Sequence, residues 1–319
     1  MQSAREHAVA IETNVRQVVR GGESAVRLAV IALMIRGHLL IEDVPGTGKT
    51  VLARALARSL DASFGRIQCT QDLLPTDITG VSIFDPQALS FRFQEGPVFT
   101  DVLLADEINR ATPRAQSALL ECMEERQVTC DGVRHALPPG FLVLATQNPV
   151  DMEGTFPLPE AQLDRFALST SLGYPDDEVL VQILEDQRQR HPLDALEAVA
   201  SLEQLGAVQE AVQEVGCDRS LLRYVAQLVR STREAEGVQL GASPRAALFL
   251  VRAARAWALL EGRDYVIPDD VHAVAHAVLD HRVIVDPRSR LGGRTPATVV
   301  DEALGAVPVP LAPQDPPPG

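Results

Sequence analysis

The sequence predicts an α/β protein with a mostly parallel β-sheet covered by helices, followed by a domain made only of helices. In the first half, short apolar runs typical of buried strands alternate with segments that have apolar residues at helical spacing. After Tyr174-Pro175, strand patterns almost vanish while helical spacing continues. We therefore predict an α/β core over residues 1–174, a helical domain over 175–305 and a proline-rich, disordered tail over 306–319.

The elements of the core follow in a simple order. An amino-terminal helical region ends near Gly37, since glycine is a common C-cap. Apolar runs predict strands at 39–43, 102–107 and 141–148, and helical spacing predicts a helix over 50–60. The second and third strands turn polar only at their carboxyl ends, which is the edge where open parallel sheets bind ligands. Between these two strands, Thr112 and Pro113 predict the start of another helix.

Two β-hairpins interrupt this scheme. One spans 81–93 and turns at Asp85-Pro86, and the other spans 127–137 and turns at Asp131-Gly132. The alternation of the first hairpin predicts that Leu89, Phe91 and Phe93 project from one face. These side chains either complete a core or form a mobile arm that contacts a partner, and the sequence leaves both interpretations open.

The carboxyl-terminal domain is predicted to be helical throughout. Helical spacing covers 220–234, 243–262 and 268–282. Ser243 before Pro244 predicts the start of the middle helix, and Gly262 predicts its end.

Composition restricts the class of partner. The chain of 319 residues has a formal charge of −14, which disfavours nucleic acid and anionic membranes as partners. No apolar run reaches membrane-spanning length, and the amino end lacks the pattern of a signal peptide. The four cysteines do not have metal-binding spacing. We therefore expect a cytoplasmic protein that does not insert into membranes.

The stretch IEDVPGTGKT, residues 41–50, predicts a phosphate-binding loop. Lys49 is the only lysine among the 29 basic residues, and a compact ammonium fits a ring of backbone amides better than a guanidinium does. The glycines allow backbone N–H groups to face an anion, and the Thr50 hydroxyl can bind Mg²⁺. Aspartate stands where the usual pattern begins with glycine, and it tolerates unusual backbone angles. We expect a nucleoside triphosphate with Mg²⁺ to be bound by Asp43, Val44, Pro45, Gly46, Thr47, Gly48, Lys49, Thr50 and Val51.

Three polar residues complete the predicted site. Asp106 ends a buried strand and is placed to hold the Mg²⁺ shell together with Thr50. Glu107 follows it and can polarise the attacking water. Asn148 ends the neighbouring strand and can orient that water or sense the γ-phosphate.

Long motifs in the chain resemble the MoxR family of AAA+ ATPases. The similar stretches are LLIEDVPGTGKT, GPVFTDVLLADEINRATPRAQSALLECMEERQVT, VLATQNP and FPLPEAQLDRF in the first half, and GASPRA and VIPDDVHAVAHAVLDHR in the second. The resemblance covers about 37 to 285. It implies a P-loop NTPase αβα sandwich with two hairpin inserts and a helical lid.

The resemblance also implies an assembly and a partner. AAA+ modules form rings, commonly hexamers, with ATP at each subunit interface. Arg165 in LDRF matches the arginine finger, which reaches the neighbour's γ-phosphate. Arg245 in SPRA matches a lid arginine that senses the nucleotide. Family members act as chaperone-like partners of proteins with a von Willebrand factor A domain, and the inserts of this clade face the pore or a client.

Three functions are compatible with these residues. The first is an ATP-driven remodelling enzyme, which uses Lys49, Glu107 and Arg165 for turnover. The second is a nucleotide-gated scaffold with slow hydrolysis, which the complete set of polar residues disfavours. The third is a nucleic-acid motor, which the acidic charge and the lack of an obvious basic arm disfavour.

Overall fold

The chain forms two compact units in the computed structural model, which describes residues 1–87, 89–149, 154–186 and 192–310. The first unit is Met1–Ala211 and the second begins at Val212. The boundary between the units therefore lies further along the chain than residue 175, where the loss of strand patterns predicted it. Residues after 175 stay with the first unit because backbone and side-chain hydrogen bonds hold them there: Val199 and Ala200 donate to the Ser59 carbonyl, and Gln209 donates to the Leu33 carbonyl.

A five-stranded parallel sheet forms the centre of the first unit. Its strand order is β2-β5-β8-β1-β9. The inner strands are buried because they consist almost entirely of aliphatic residues. The strands of the first unit are β1 Leu39–Glu42, β2 Phe64–Gln68, β3 Gly80–Asp85, β4 Ser90–Glu95, β5 Val102–Asp106, β6 Gln127–Cys130, β7 Val133–Ala136, β8 Leu142–Gln147 and β9 Leu168–Thr170.

Helices accompany this sheet, as the alternating patterns predicted. Thr112 caps α5 through its side chain, and Pro113 is the first residue of that helix. The amino-terminal region ends differently from the prediction: Arg36, with φ of 53°, takes the left-handed conformation expected of Gly37. Gly37 instead allows close approach, since an added Cβ would lie 2.5 Å from the Ala167 Cβ. The helices are α1 Gln2–Arg16, α2 Glu23–Met34, α3 Lys49–Ser59, α4 Pro75–Thr79, α5 Pro113–Glu125, α6 Glu160–Leu163, α7 Asp177–Asp186 and α8 Leu202–Glu214, within which the division falls.

The two hairpins form as separate two-stranded sheets and contact each other. β3 pairs with β4, and β6 pairs with β7. Phe93 packs against the core beside Phe99 and stacks on His135 of the second hairpin at 4.1 Å between ring centroids. Phe91 is 71% exposed, and Leu89 lies in the turn with φ of 48°. The three side chains of this face therefore do not share one environment. Phe93 completes the core, whereas Phe91 and Leu89 face solvent.

The second unit is mainly helical. Ser243 caps α10, and Gly262 follows the helix with a φ of 80°, as the sequence predicted. Its elements are α9 Arg219–Glu234, β10 Val238–Leu240, α10 Pro244–Leu260, α11 Pro268–Leu279, β11 Ile284–Val285, α12 Pro287–Leu291 and α13 Pro296–Ala306. Of the predicted tail, residues 311–319 lie outside the described residues. Within the described ranges, no helix is both long and apolar enough to cross a membrane.

Candidate active site

The loop between β1 and α3 has the backbone of a phosphate cradle. Gly46 and Gly48 have φ of 87° and 94°, in the left-handed region that other residues avoid. A Cβ added to either glycine would meet nothing within 4 Å, so conformation and not space requires glycine. Gly48 is the N-cap of α3, so the free amides of that helix begin at the loop. The strand, loop and helix therefore present positive partial charge at one point.

Lys49 reaches back across the same loop. Its Nζ donates to the Val44 carbonyl at 2.6 Å and to the Asp43 carbonyl at 3.1 Å. These two contacts hold the ammonium in the mouth of the loop. A phosphate entering the loop would meet this ammonium together with the backbone amides.

Asp43 anchors the loop to a distant part of the chain. Its side chain is buried, and Oδ2 accepts from the backbone N–H groups of Leu172 at 2.8 Å and Gly173 at 2.9 Å. Oδ1 accepts from the Val44 N–H. Among the described residues Asp43 is not one of those with positive φ, so tolerance of unusual angles is not why aspartate stands here. The carboxylate tethers the start of the loop.

The carboxyl ends of β5 and β8 meet beside this loop, as the parallel sheet requires. Thr146 connects the acidic pair: its hydroxyl donates to Asp106 Oδ1 at 2.7 Å and accepts from the Glu107 N–H at 2.9 Å. Glu107 has φ of 57°, a strained conformation for a residue that is not glycine. Sequence reasoning missed Thr146, because a threonine inside an apolar run gives no signal of its own.

Each carboxylate of the acidic pair has an arginine partner. Arg66 on β2 donates to Asp106 Oδ2 at 2.7 Å. Arg110 pairs with Glu107 at 3.1 Å, and Gln68 also donates to Glu107, at 3.2 Å. Arg66 and Gln68 were missed because their mixed strand, FGRIQ, was not predicted as part of the sheet.

The loop, the acidic pair, Arg66 and Gln68 line one cavity of about 350 Å³. It brings together the predicted Lys49, Thr50, Asp106, Glu107 and Asn148. The Thr50 hydroxyl and Asp106 carboxylate offer the oxygen ligands that Mg²⁺ prefers, so the residues fit this ion. The full lining is Asp43, Pro45, Gly46, Gly48, Lys49, Thr50, Arg66, Gln68, Asp106, Glu107, Thr146, Gln147 and Asn148.

The thiol of Cys69 lies beside the acidic pair, and its pKa is raised to about 12. Burial is the largest cause, and the negative charges of Asp106 and Glu107 also contribute. The Cys69 N–H also donates to the Asp106 carbonyl at 2.9 Å. Cys69 is therefore a neutral thiol at physiological pH and does not act as a nucleophile here.

A second cavity of about 400 Å³ adjoins the loop and is mostly apolar. It shares Gly46 and Gly48 with the first cavity. Sequence reasoning missed it because its walls come from segments far apart in the chain. The walls include Val18, Val19, Val51, Leu172, Tyr174, Pro175, Leu180 and Ile183.

The two arginines that the resemblance singles out, Arg165 and Arg245, belong to different units. Arg165 lines a third cavity, with Glu121 and Glu125, and its Nε pairs with Glu124 Oε2 at 3.2 Å. Arg245 lies in the first turn of α10, in the second unit. Arg165 does not line the cavity that contains the loop.

Comparison with known proteins agrees with this fold and site. Residues 38–168 match the model of the "ATPase family associated with various cellular activities (AAA)", and residues 230–303 match the AAA lid domain. A crystal structure of a candidate ATPase from Cytophaga hutchinsonii superposes with a TM-score of 0.88 at 37% identity, covering 97% of this chain and 96% of that one. The fold and the site therefore define an AAA+ ATPase, an enzyme that hydrolyses ATP.

Similarity to curated proteins specifies the family. The chain is 40% identical to Chaperone MoxR1 of Mycobacterium tuberculosis, over 93% of this chain and 80% of that protein. It is 34% identical to Protein MoxR of Methylorubrum extorquens over 89% of each chain, and 46% identical to the uncharacterized protein YeaC of Bacillus subtilis over 93% of each. The chain belongs to the MoxR family of AAA+ ATPases, with a chaperone-like function.

Proposed function

We propose that this chain is a Mg²⁺-dependent ATPase that works as a ring, commonly a hexamer in AAA+ modules, and remodels or matures a client together with a von Willebrand factor A domain protein. The observation that carries the catalytic part is the single cavity shared by Lys49, Thr50, Asp106, Glu107 and Asn148. These are the groups that phosphoryl transfer to water needs: a phosphate cradle, metal ligands and a base.

Each residue has a separate role in this proposal. Lys49 and the loop amides bind the phosphates. Thr50 and Asp106 would hold Mg²⁺, which would supply positive charge to the phosphate oxygens. Glu107 accepts a proton from the attacking water, and Asn148 orients that water. The adjoining cavity receives the nucleotide base, because it opens from the same two glycines and most of its side chains are apolar.

In the proposed ring, the neighbouring subunit supplies the remaining positive charge of the site through its Arg165. Arg165 pairs with Glu124 and lines a different cavity from the phosphate-binding residues of its own chain. This separation supports a role in a neighbour's site, where the guanidinium would stabilise charge that develops in the transition state. Arg245 is proposed to sense the nucleotide from the lid.

The client would meet the hairpin inserts. Leu89 and Phe91 expose large apolar surface at the end of the first hairpin, and Phe84 beside them is 46% exposed. Exposed apolar clusters of this kind are typical of protein contacts. The cytoplasmic location and the absence of a nucleic-acid partner remain predictions from composition.

Turnover measured across protein concentration tests the ring. ATP hydrolysis per subunit should rise cooperatively with concentration, because each site needs an arginine from a second copy. Arg165→Ala and Lys49→Ala should each be inactive alone. When the two variants are mixed, some sites combine an intact loop with an intact finger, so part of the activity should return. If co-assembly is confirmed and no activity returns, the finger in trans is wrong.

The scaffold alternative makes a different prediction. A scaffold would change its assembly state on binding ATP and would hydrolyse it slowly at every concentration. Size measurement with and without nucleotide, alongside the rate per subunit, separates the two functions.

A further inference from the structure

Arg66 places a positive charge on the carboxylate that is expected to hold the metal. β2 and β5 pair in parallel, with Gln68 opposite Asp106. Side chains alternate along a strand, so Arg66, two residues before Gln68, lies on the same face as Asp106. Its guanidinium reaches along that face and donates to Asp106 Oδ2 at 2.7 Å.

With this contact, each oxygen of the carboxylate accepts a hydrogen bond. Thr146 already donates to Asp106 Oδ1 at 2.7 Å. The Asp106 side chain is only 14% exposed, so solvent competes little for its remaining lone pairs. A divalent cation that approaches Asp106 would meet both an occupied oxygen and the repulsion of a fixed positive charge.

We propose that Arg66 is a positioning residue that competes with Mg²⁺ for Asp106: it neutralises the carboxylate before nucleotide binds and releases Oδ2 when the metal arrives with ATP. The proposal rests on the proposed role of Asp106 in holding Mg²⁺. It adds a residue of β2 to the site. It also predicts that Arg66 helps to determine the Mg²⁺ concentration that nucleotide binding needs.

A purely structural role explains Arg66 less well. Its side chain is 46% exposed, and β2 is at the edge of the sheet, so folding does not require a cation there. Apart from Lys49, Arg66 is the only basic residue among the described residues that line the phosphate cavity. Without Arg66, Asp106 and Glu107 would repel a metal-free nucleotide more strongly.

Removing Arg66 should therefore have opposite effects on the binding of Mg²⁺ and on the binding of metal-free ATP. Removing the guanidinium should strengthen Mg²⁺ binding, since the competitor is gone. It should weaken binding of ATP without metal, since less positive charge opposes the phosphates. If the Arg66–Asp106 contact only stabilised the fold, its loss would not strengthen Mg²⁺ binding while weakening the binding of metal-free ATP.

The test measures equilibrium binding of a fluorescent, slowly hydrolysed ATP analogue to the full chain while Mg²⁺ is varied, and again in EDTA. Arg66→Gln should lower the Mg²⁺ concentration at half-saturation by about threefold to tenfold, the range expected for one partly exposed arginine–carboxylate pair. Its affinity for the analogue in EDTA should fall by about threefold or more. Arg66→Lys should show smaller changes, because it keeps the charge but not the planar donor.

Two further variants make the result specific. Arg230→Gln removes an arginine that pairs with Glu234 at 2.6 Å on the exposed face of α9 in the second unit, and it should leave both quantities unchanged. In an Asp106→Asn background, Arg66→Gln should no longer shift the Mg²⁺ dependence.

The possible outcomes separate this proposal from the one on which it rests. If binding by the unmodified chain depends on Mg²⁺ and Arg66→Gln leaves that dependence unchanged, the competition is refuted. Weaker binding of Arg66→Gln at every Mg²⁺ concentration would also overturn it, by showing that Arg66 contacts the nucleotide directly. If binding by the unmodified chain is indifferent to Mg²⁺, the metal role of Asp106 fails and the proposal falls with it.

Discussion

Glu107 shows how a single residue can be strained for a function. Its φ of 57° places it in the left-handed region, which costs a residue with a side chain roughly 1–3 kcal/mol. Its N–H donates to the Thr146 hydroxyl, and its carboxylate contacts Gln68 and Arg110. These contacts hold a backbone conformation that the residue would otherwise leave, and they direct the carboxylate at the cavity.

Glu107→Gln should keep nucleotide binding and reduce hydrolysis by at least about a hundredfold, because the amide has the shape of the carboxylate but cannot accept a proton. Steady-state turnover and nucleotide binding, measured on the same preparation, check this. The control is Glu234→Gln, which removes a carboxylate that pairs with an arginine on an exposed helix face. Normal turnover in the Glu107 variant would remove Glu107 from the proposed mechanism.

Asp43 makes a prediction that runs against the usual sequence pattern. Asp43→Gly restores the glycine with which phosphate-binding loops commonly begin, yet it removes the acceptor of the Leu172 and Gly173 N–H groups. We expect the free energy of unfolding to fall by about 1–3 kcal/mol, since these two backbone donors and the Val44 N–H lose their partner. Denaturant unfolding measures this, and Asp43→Asn, which keeps one acceptor oxygen, should fall between. Equal stability of the glycine variant and the unmodified chain would contradict the tether.

At the scale of elements, the first hairpin combines an anchor and an exposed end. Phe93 packs beside Phe99 and on His135, whereas Phe91 contacts Phe84 and is largely exposed. Pattern alone put both aromatic residues on one face and gave no way to separate them. The separation depends on the second hairpin, which covers only the base of the first.

Phe93→Ser should therefore cost about 1–3 kcal/mol of unfolding free energy, because it removes apolar contacts and ring stacking. Phe91→Ser, the matched change two residues earlier on the same face, should alter stability by less than about 1 kcal/mol. Thermal and denaturant unfolding of both variants provide the measurement. A larger loss from Phe91→Ser would reverse the assignment of anchor and exposed end.

In the central sheet, the strands with clear apolar runs were predictable, whereas β2 and β9 were not. β1, β5 and β8 lie within one or two residues of their predictions because their side chains are buried on both faces. β2 is an edge strand with polar and exposed residues, and β9 is only three residues long. Both were missed for these reasons, and β2 carries Arg66 and Gln68.

For the whole molecule, a buried histidine links stability to pH. Burial lowers the pKa of His38 to about 3, with the charge of Arg126 contributing. His38 Nδ1 accepts from the Val143 N–H, and Nε2 bonds to the Met123 carbonyl. Nδ1 therefore cannot take a proton without losing a hydrogen bond inside the core.

The sign of the pH dependence follows from this lowered pKa. Between about pH 6.5 and 3, the unfolded chain binds a proton at His38 that the folded chain excludes, so stability falls as pH falls. The loss from this group alone should reach about 2 kcal/mol at pH 5. His38→Asn keeps polar atoms but does not titrate, so the stability difference from the unmodified chain should narrow as pH falls from 7 to 5. Parallel stability curves would show that His38 does not titrate as proposed.

The sequence by itself determined the alternating α/β core, the phosphate-binding loop with its lone lysine, and the polar ends of β5 and β8. It could do so because each depends on local rules: burial sets the apolar runs, and glycine and lysine spacing sets the loop. Only the tertiary structure decided that Asp43 tethers residues 172–173, that Thr146 connects Asp106 to Glu107, and that Arg66 pairs with Asp106. These contacts join residues about 40 to 130 positions apart, and no local spacing encodes which side chains the strand order β2-β5-β8-β1-β9 brings face to face.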